Sequence, residues 1–174
     1  KTNERINQLI TTSELATTEY TIVKVIKADD HPSLFKAQIG DRKILYSCKI
    51  YVKAGIDLKK YNSSLTEINE ATKTITLTLP HAQLLSFNMP AEEQDLVYEK
   101  VGKLRRDFSH YEKNELLIQG EESVKNTIQD IGILADAERN ASDFFRNTLL
   151  QLGYSHVNIK FENTSEESYN NVTA

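Results

Sequence analysis

The sequence predicts an α+β fold, in which a mainly antiparallel sheet from the N-terminal half is packed by two C-terminal helices and completed by a final C-terminal strand. Three observations predict this fold. Apolar and polar residues alternate in several segments before Pro90, which is typical of strands with one buried face. After Pro90 the apolar residues recur at helical spacing. Between Tyr154 and Phe161 the alternation returns.

The first half contains four predicted strands. Residues 17–27 are rich in β-branched side chains, which favour extended structure. Residues 43–53 alternate most clearly, with Ile44, Tyr46 and Cys48 on the face predicted to be buried. Residues 72–79 and 82–88 follow the same pattern, and Pro80 between them ends a ladder because it has no N–H to donate.

The second half is predicted to contain two helices. The first is expected over residues 104–131, because Leu104, Phe108, Ile118 and Val124 fall at helical spacing, and residues 92–98 before it are expected to be transitional. Gly132 suits the left-handed position that ends a helix. The second helix is expected over residues 134–152, followed by a strand over residues 154–161.

A chain of 174 residues has the size of one ordinary domain and can bury roughly 70% of its unfolded surface. We therefore predict one domain over residues 1–162. Residues 163–174 are polar and are predicted to form a disordered tail.

Composition excludes several classes of function. The net charge is −4 and lysines and arginines are interspersed with acidic residues, so the sequence offers no basic stripe for nucleic acid. The only cysteine is Cys48, which excludes an internal disulfide and a thiolate-clustered metal site. Cys48 lies on the apolar face of its predicted strand, so we expect it to pack in the core.

The motifs of metal, cofactor and phosphate sites are absent from the sequence. None of the four histidines lies three or four residues from another, and there is no HExxH, CxxC or glycine-rich phosphate loop. We therefore predict no metal, no cofactor and no identifiable small-molecule ligand.

Two residues at strand ends are the candidate catalytic pair. Asp57 and His81 could form an acid/base site if the fold brings them together. The alternative, which we favour, is that Asp57 caps a short helix and His81 belongs to a turn. Arg105 and Arg106 are interpreted as a solvated segment at the start of a helix, with an anion site as the alternative.

Three segments together carry a family resemblance: residues 53–58 (KAGIDL), residues 75–80 (ITLTLP), and residues 149–154 (LLQLGY) after the helix with Ala137 and Ala141. In this order they resemble the bacterial domain-of-unknown-function 4230 family, over residues 15–161. Members typically carry an N-terminal membrane anchor or leader, so the resemblance implies that a segment preceding Lys1 was removed. The family has no agreed activity, so it assigns no functional residues.

These observations leave three hypotheses. The first is a non-catalytic module of the bacterial cell envelope that binds an envelope protein or associates with itself, with membrane attachment through the removed segment rather than through this domain. The second is a hydrolase that uses Asp57 and His81. The third is a small-molecule or lipid carrier, which requires an apolar cavity. A cytoplasmic location is the alternative to the envelope.

Overall fold

The computed structural model of the chain describes residue 10 and residues 15–30, 33–34, 37–38 and 40–163, and it confirms the predicted α+β class. The strands of this part of the chain are β1 (Leu15–Asp30), β2 (Ser33–Leu34), β3 (Ala37–Gln38), β4 (Arg42–Ile56), β5 (Glu67–Asn69), β6 (Thr74–Leu79), β7 (Gln83–Asn88), β8 (Gln94–Val101) and β9 (His156–Phe161). The helices are α1 (His110–Thr127) and α2 (Ile133–Gln151), with short 3-10 helices at Leu58–Lys60, Ser63–Leu65, Ala91–Glu93 and Ile128–Ile131.

The strands form a four-stranded sheet, a three-stranded sheet and a two-stranded pair. In the four-stranded sheet, β4 has β1, β7 and β8 as hydrogen-bonded neighbours. The three-stranded sheet has the order β5-β6-β9, in which β5 and β6 are antiparallel while β6 and β9 are parallel. The final C-terminal strand is thus confirmed, and it pairs Val157 with Ile75.

The chain divides into two compact units. One consists of residues 20–52 and 86–132, and we call it the α1 unit; the other consists of residues 1–19, 53–85 and 133–174, and we call it the α2 unit. Both β1 and β4 contribute residues to each unit. The single domain over residues 1–162 stays a prediction, and residues 164–174 of the predicted tail lie outside the described residues.

The core of the α1 unit lies on one face of β4. Ile44, Tyr46 and Cys48 are buried there together with Ile26 of β1 and Phe108. Partly buried Leu116 and Leu117 of α1 pack against this cluster. Since successive side chains of a strand point to opposite faces, this cluster accounts for the alternation seen in the sequence. Cys48 is a buried free thiol, as expected from its position.

The core of the α2 unit contains buried residues of both β6 and α2. Ile75, Leu77 and Leu79 of β6 are fully buried, and so are Phe145 and Leu149 of α2. The helix ends where Gly153 adopts a φ of +100°, a left-handed conformation that glycine tolerates best. The Tyr154 N–H then donates to the Leu149 carbonyl, which satisfies one of the free carbonyls at this end.

The predicted boundaries around α1 were wrong. The helix begins at His110 rather than at residue 104, because the Ser109 side chain accepts a hydrogen bond from the Glu112 N–H and so caps it. Leu104 therefore lies in a loop and is 82% exposed instead of packing in a helical stripe. The segment expected to be transitional forms β8, which pairs with β4 from Gln94 to Val101.

Among the helices that the structure describes, none is both long enough and apolar enough to cross a membrane.

Candidate functional site

The candidate site lies in the α1 unit, where a loop joins β8 to α1. Gly102 begins this loop, and its N–H donates to the Asp41 carbonyl over 3.0 Å. The loop then turns back, because the Arg105 N–H donates to the Gly102 carbonyl. Gly102 also lies directly against Gly40, and a Cβ on Gly102 would approach the Gly40 Cα to 2.9 Å. Only glycine permits this contact, which fixes the position of the loop.

Two arginines and two carboxylates form an ion-pair network beside the loop. Arg42 Nη2 lies 2.7 Å from Asp30 Oδ2 and 2.7 Å from Glu112 Oε1. Arg105 Nη2 lies 2.7 Å from the same Asp30 oxygen, and Arg105 Nη1 donates to the Gly40 carbonyl. The side chains of Arg42 and Arg105 are only 12% and 15% exposed, so packing and hydrogen bonds hold both guanidinium groups in place.

Glu112 links the network to the start of α1. One of its oxygens accepts a hydrogen bond from the Ser109 N–H, while the Ser109 side chain accepts one from the Glu112 N–H, which completes a capping box. The guanidinium of Arg42 also lies 4.5 Å from the centre of the Phe108 ring, within the range of a cation–π contact. Helix start, loop and strand β4 thus share one set of contacts.

The network keeps its carboxylates ionised. Hydrogen bonds from Arg42 are the main reason that the pKa of Glu112 falls to about 2, and the bond from the Ser109 N–H lowers it further. The pKa of Asp30 is also lowered, first by its hydrogen bond with Arg42 and in addition by Arg105. Groups with a lowered pKa that are already hydrogen-bonded are poor proton acceptors at neutral pH.

An open groove of about 690 Å³ runs along this network. Its lining consists of Arg42, Leu104, Arg105, Arg106, Asp107, Ser109 and Glu112. Arg106 is exposed, and within the part of the chain that the structure describes its guanidinium makes no hydrogen bond or ion pair. The groove therefore offers one free cation and one exposed apolar side chain, Leu104, beside a rigid set of paired charges.

The structure places Asp57 and His81 in the α2 unit with different partners. The Asp57 side chain accepts a hydrogen bond from the Lys59 N–H and caps the 3-10 helix that follows β4. His81 Nδ1 lies 2.8 Å from Glu138 Oε1, and its ring stacks on Phe161 with 5.8 Å between ring centres. Neither a hydrogen bond nor an ion pair joins these two described residues, so an acid/base role for Asp57 with His81 stays a prediction.

The described residues provide neither a reactive thiol nor a metal-binding cluster. Burial raises the pKa of the Cys48 thiol, with Asp95 as a smaller cause, so this thiol is a poor nucleophile. Among the described residues, no three histidine, cysteine, aspartate or glutamate side chains are close enough together to hold a metal ion.

Sequence reasoning named Arg105 and Arg106 but missed Asp30, Arg42 and Glu112. One sequence signal could have indicated the role of Glu112. The Ser-x-x-Glu spacing of Ser109 and Glu112 is typical of a capping box, and it would have moved the predicted helix start and left residues 102–109 as a loop. The pairing of Arg42 with Glu112, which are 70 residues apart, has no sequence signal.

The fold and the groove define an α+β protein with a polar surface groove in its α1 unit. Residues 7–159 match the family described as protein of unknown function DUF4230, and the chain belongs to this family. No curated protein and no solved structure shows significant similarity to it.

Proposed function

We propose that the protein is a non-catalytic binding module of the bacterial cell envelope, and that it holds a partner protein in the groove between the Gly102–Ser109 loop and the Arg42–Glu112 pair. The observation that carries the proposal is the rigid construction of this groove. Two of its arginines are held by charge-assisted hydrogen bonds, while Arg106 beside them is free to bind. The paired arginines hold the walls of the groove in place, so these walls lose little conformational entropy when a partner binds.

The chemistry of the lining favours binding over catalysis. A general base must be able to accept a proton near neutral pH, whereas Glu112 has a pKa of about 2 and is already paired with Arg42. The Ser109 hydroxyl caps α1 and has no histidine partner among the described residues, so nothing there activates it as a nucleophile.

The same lining indicates the chemistry of the partner. Arg106 can receive a carboxylate as a bidentate pair, and Leu104, which is 82% exposed, can be covered by an apolar side chain. A polypeptide segment with one acidic and one apolar residue close together fits both groups. The envelope location rests on the anchor or leader that is typical of the family.

Affinity capture from envelope extract of the source bacterium tests this proposal. We expect the wild-type chain to retain a partner, and both Arg106→Glu and Leu104→Gln to lose it. The matched controls are Lys59→Glu and Leu65→Gln, which change exposed residues of the α2 unit. The proposal is wrong if nothing is retained, or if the groove variants retain the same proteins as the controls.

A second candidate function, a hydrolase, is favoured by the contact between His81 and Glu138. The Glu138 Oε1 atom lies 2.8 Å from His81 Nδ1 and also accepts a hydrogen bond from the Ala82 N–H. A carboxylate in this position orients an imidazole, so that its other nitrogen can act as a general base. Hydrolysis of simple ester and phosphoester substrates by the wild-type chain, lost in His81→Ala and reduced in Glu138→Gln, would support this function.

The role of Asp57 in such a hydrolase is separable from its structural role. Asp57→Asn keeps an oxygen that can cap the 3-10 helix, so the variant should remain folded. If hydrolysis persists in Asp57→Asn and disappears in His81→Ala, then His81 works with Glu138 and not with Asp57. Equal hydrolysis by the wild-type chain and His81→Ala would exclude the hydrolase that uses His81.

A further inference from the structure

One face of the sheet in the α1 unit carries exposed apolar side chains. Ile26 and Ile44 point into the core beneath α1, so their odd-numbered neighbours on β1 and β4 point to the opposite side. On that side Val23 and Val25 of β1 are 62% and 56% exposed, and Tyr98 of β8 is 45% exposed. We call this side the outer face; its residues include Val23, Val25, Lys27 and Asp29 of β1, Lys43, Leu45 and Ser47 of β4, and Asp95, Tyr98 and Lys100 of β8.

A bulge in β8 determines which charged residues lie on the outer face. Leu45 pairs with Tyr98, whereas the next residue of β4, Tyr46, pairs with Leu96, so Val97 is an extra residue. In a regular strand Asp95 and Tyr98 would point to opposite faces, because they are three residues apart. The bulge brings Asp95 opposite Ser47 and so places its carboxylate on the outer face.

The outer face also contains an unfavourable pair of charges. Lys100 lies directly opposite Lys43 across the strands. Lys43 has Asp29 as a partner at 3.3 Å, whereas neither Lys100 nor Asp95 makes an ion pair with any residue that the structure describes. Like charges in directly opposed positions destabilise a sheet, and among the described residues Lys100 has no anionic partner to offset this repulsion.

We propose that a second copy of this chain supplies that anion, by packing its own outer face on this one about a two-fold axis near Tyr98. Such an axis reverses the strand direction and makes every contact reciprocal. Lys100 and Asp95 lie on either side of Tyr98 along β8, so Lys100 of each copy then meets Asp95 of the other. Leu45 and Tyr98, which pair across β4 and β8, then meet their own counterparts at the centre.

The area of the outer face determines how tightly the two copies are expected to associate. Three strands of about seven residues cover on the order of 300–400 Å², given the usual strand spacing and rise. This is about half of what a partner contributes to a standard interface, so the dimer should be weak and reversible. The inference does not involve the groove and is independent of the proposed binding of a partner there.

Sedimentation velocity of the whole chain, from about 1 µM to about 1 mM, covers the range in which an interface of this size dissociates. We expect a monomer–dimer equilibrium that weakens as salt is added. Lys100→Asp and Asp95→Lys should each weaken dimerisation by about tenfold or more, because each places like charges together. An equimolar mixture of these two variants should regain it, since every contact in the mixed dimer joins opposite charges.

Two further variants complete the test. Lys59→Asp makes the same change of charge at an exposed position of the α2 unit and should leave dimerisation unaltered. Val25→Gln removes apolar area without changing charge and should weaken dimerisation, with an unchanged circular dichroism spectrum showing that the chain is folded. A monomer at about 1 mM, a dimer insensitive to Lys100→Asp, or a mixture that fails to regain dimerisation would overturn the proposal.

Discussion

Arg42 connects parts of the α1 unit that are far apart in the sequence. Its guanidinium donates to Asp30 at the end of β1, to Glu112 in the first turn of α1, and to the Arg106 carbonyl in the loop. These partners are 12, 70 and 64 residues away in the sequence. One side chain therefore holds the loop, the helix start and two strands, and the geometry of the groove depends on it.

Replacement of this residue by Arg42→Gln should lower the free energy of unfolding by about 1–3 kcal/mol, because it leaves two carboxylates without their main donor. The side chains of Asp30 and Glu112 are 35% and 40% exposed, which keeps the loss of stability below that of a fully buried pair. Urea unfolding measures the change. The control is Arg139→Gln, whose exposed pair with Asp136 should contribute less than about 0.5 kcal/mol.

The lowered pKa of Glu112 predicts a pH dependence of stability. In the unfolded chain this carboxyl titrates at its ordinary value of 4.5, and in the folded chain at about 2. A group whose folded pKa is depressed stabilises the fold fully above the unfolded pKa and loses this contribution as pH falls through the folded pKa. The free energy of unfolding should therefore decline between about pH 4.5 and pH 2.

The variant Glu112→Gln isolates this contribution. It should be less stable than the wild-type chain at pH 6, and the difference between the two should shrink as the pH approaches 2. Glu122→Gln, at an exposed position of the same helix, serves as the control. A difference between Glu112→Gln and wild type that is independent of pH would contradict the prediction.

Helix α1 shows how one small residue determines the packing of an element. Gly120 is buried in the middle of the helix and contacts Ile26 of β1. A Cβ at this position would overlap the Ile26 side chain. Val124 of the same helix is also buried, whereas Tyr111 and Ile118 are exposed. The helix therefore approaches the sheet along the line that contains Gly120.

Substitution Gly120→Ala should destabilise the fold by about 1–3 kcal/mol through overpacking, despite a gain of about 1 kcal/mol in helix propensity. Thermal unfolding measures the change. Gln119→Ala, on the exposed side of the same helix, should be neutral or slightly stabilising.

A second substitution identifies the cause of this effect. Ile26→Val removes the methyl group that the new Cβ would meet first, so it should recover part of the stability lost in Gly120→Ala. If Gly120→Ala is as stable as the wild-type chain, then α1 can move away from β1 without losing stability. The close contact between Gly120 and Ile26 would then not contribute to the stability of the fold.

At the scale of the whole molecule, the long strands β1 and β4 are shared between the two compact units. Residue 52 of β4 belongs to the α1 unit and residue 53 to the α2 unit, in one uninterrupted strand. The 15 residues of this strand thus run from one unit into the other without a break. The single domain over residues 1–162 stays a prediction, and the unfolding behaviour of the two units tests it.

We therefore expect one cooperative unfolding transition. Ile44→Val in the α1 unit and Ile75→Val in the α2 unit should each shift the same transition, by about 0.5–1.5 kcal/mol. Urea unfolding followed by circular dichroism and by NMR signals from both units gives the measurement. Two separate transitions, each moved by only one of these variants, would show that the units unfold independently.

The sequence by itself determined the fold class and most of its elements. The alternation around Ile44 and Ile75, and the glycine at residue 132, predicted strands and a helix end that the structure confirms. These signals are local, since each depends on neighbours within one turn or one strand. The predicted start of α1 was too early, because Leu104 lies at helical spacing from Phe108. The Ser109 cap starts the helix at His110 instead.

Only the tertiary structure decided where charged side chains meet. Arg42 pairs with Glu112, His81 with Glu138 rather than with Asp57, and Asp95 turns to the outer face through a bulge. The paired residues are far apart in the sequence, and no repeating pattern of residues links them. They come together because the core packs the elements that carry them against each other. The physical reason is that hydrophobic burial determines which face of each helix or strand is apolar, and so leaves a periodic pattern in the sequence. The positions of polar partners depend on how the packed elements are arranged in three dimensions.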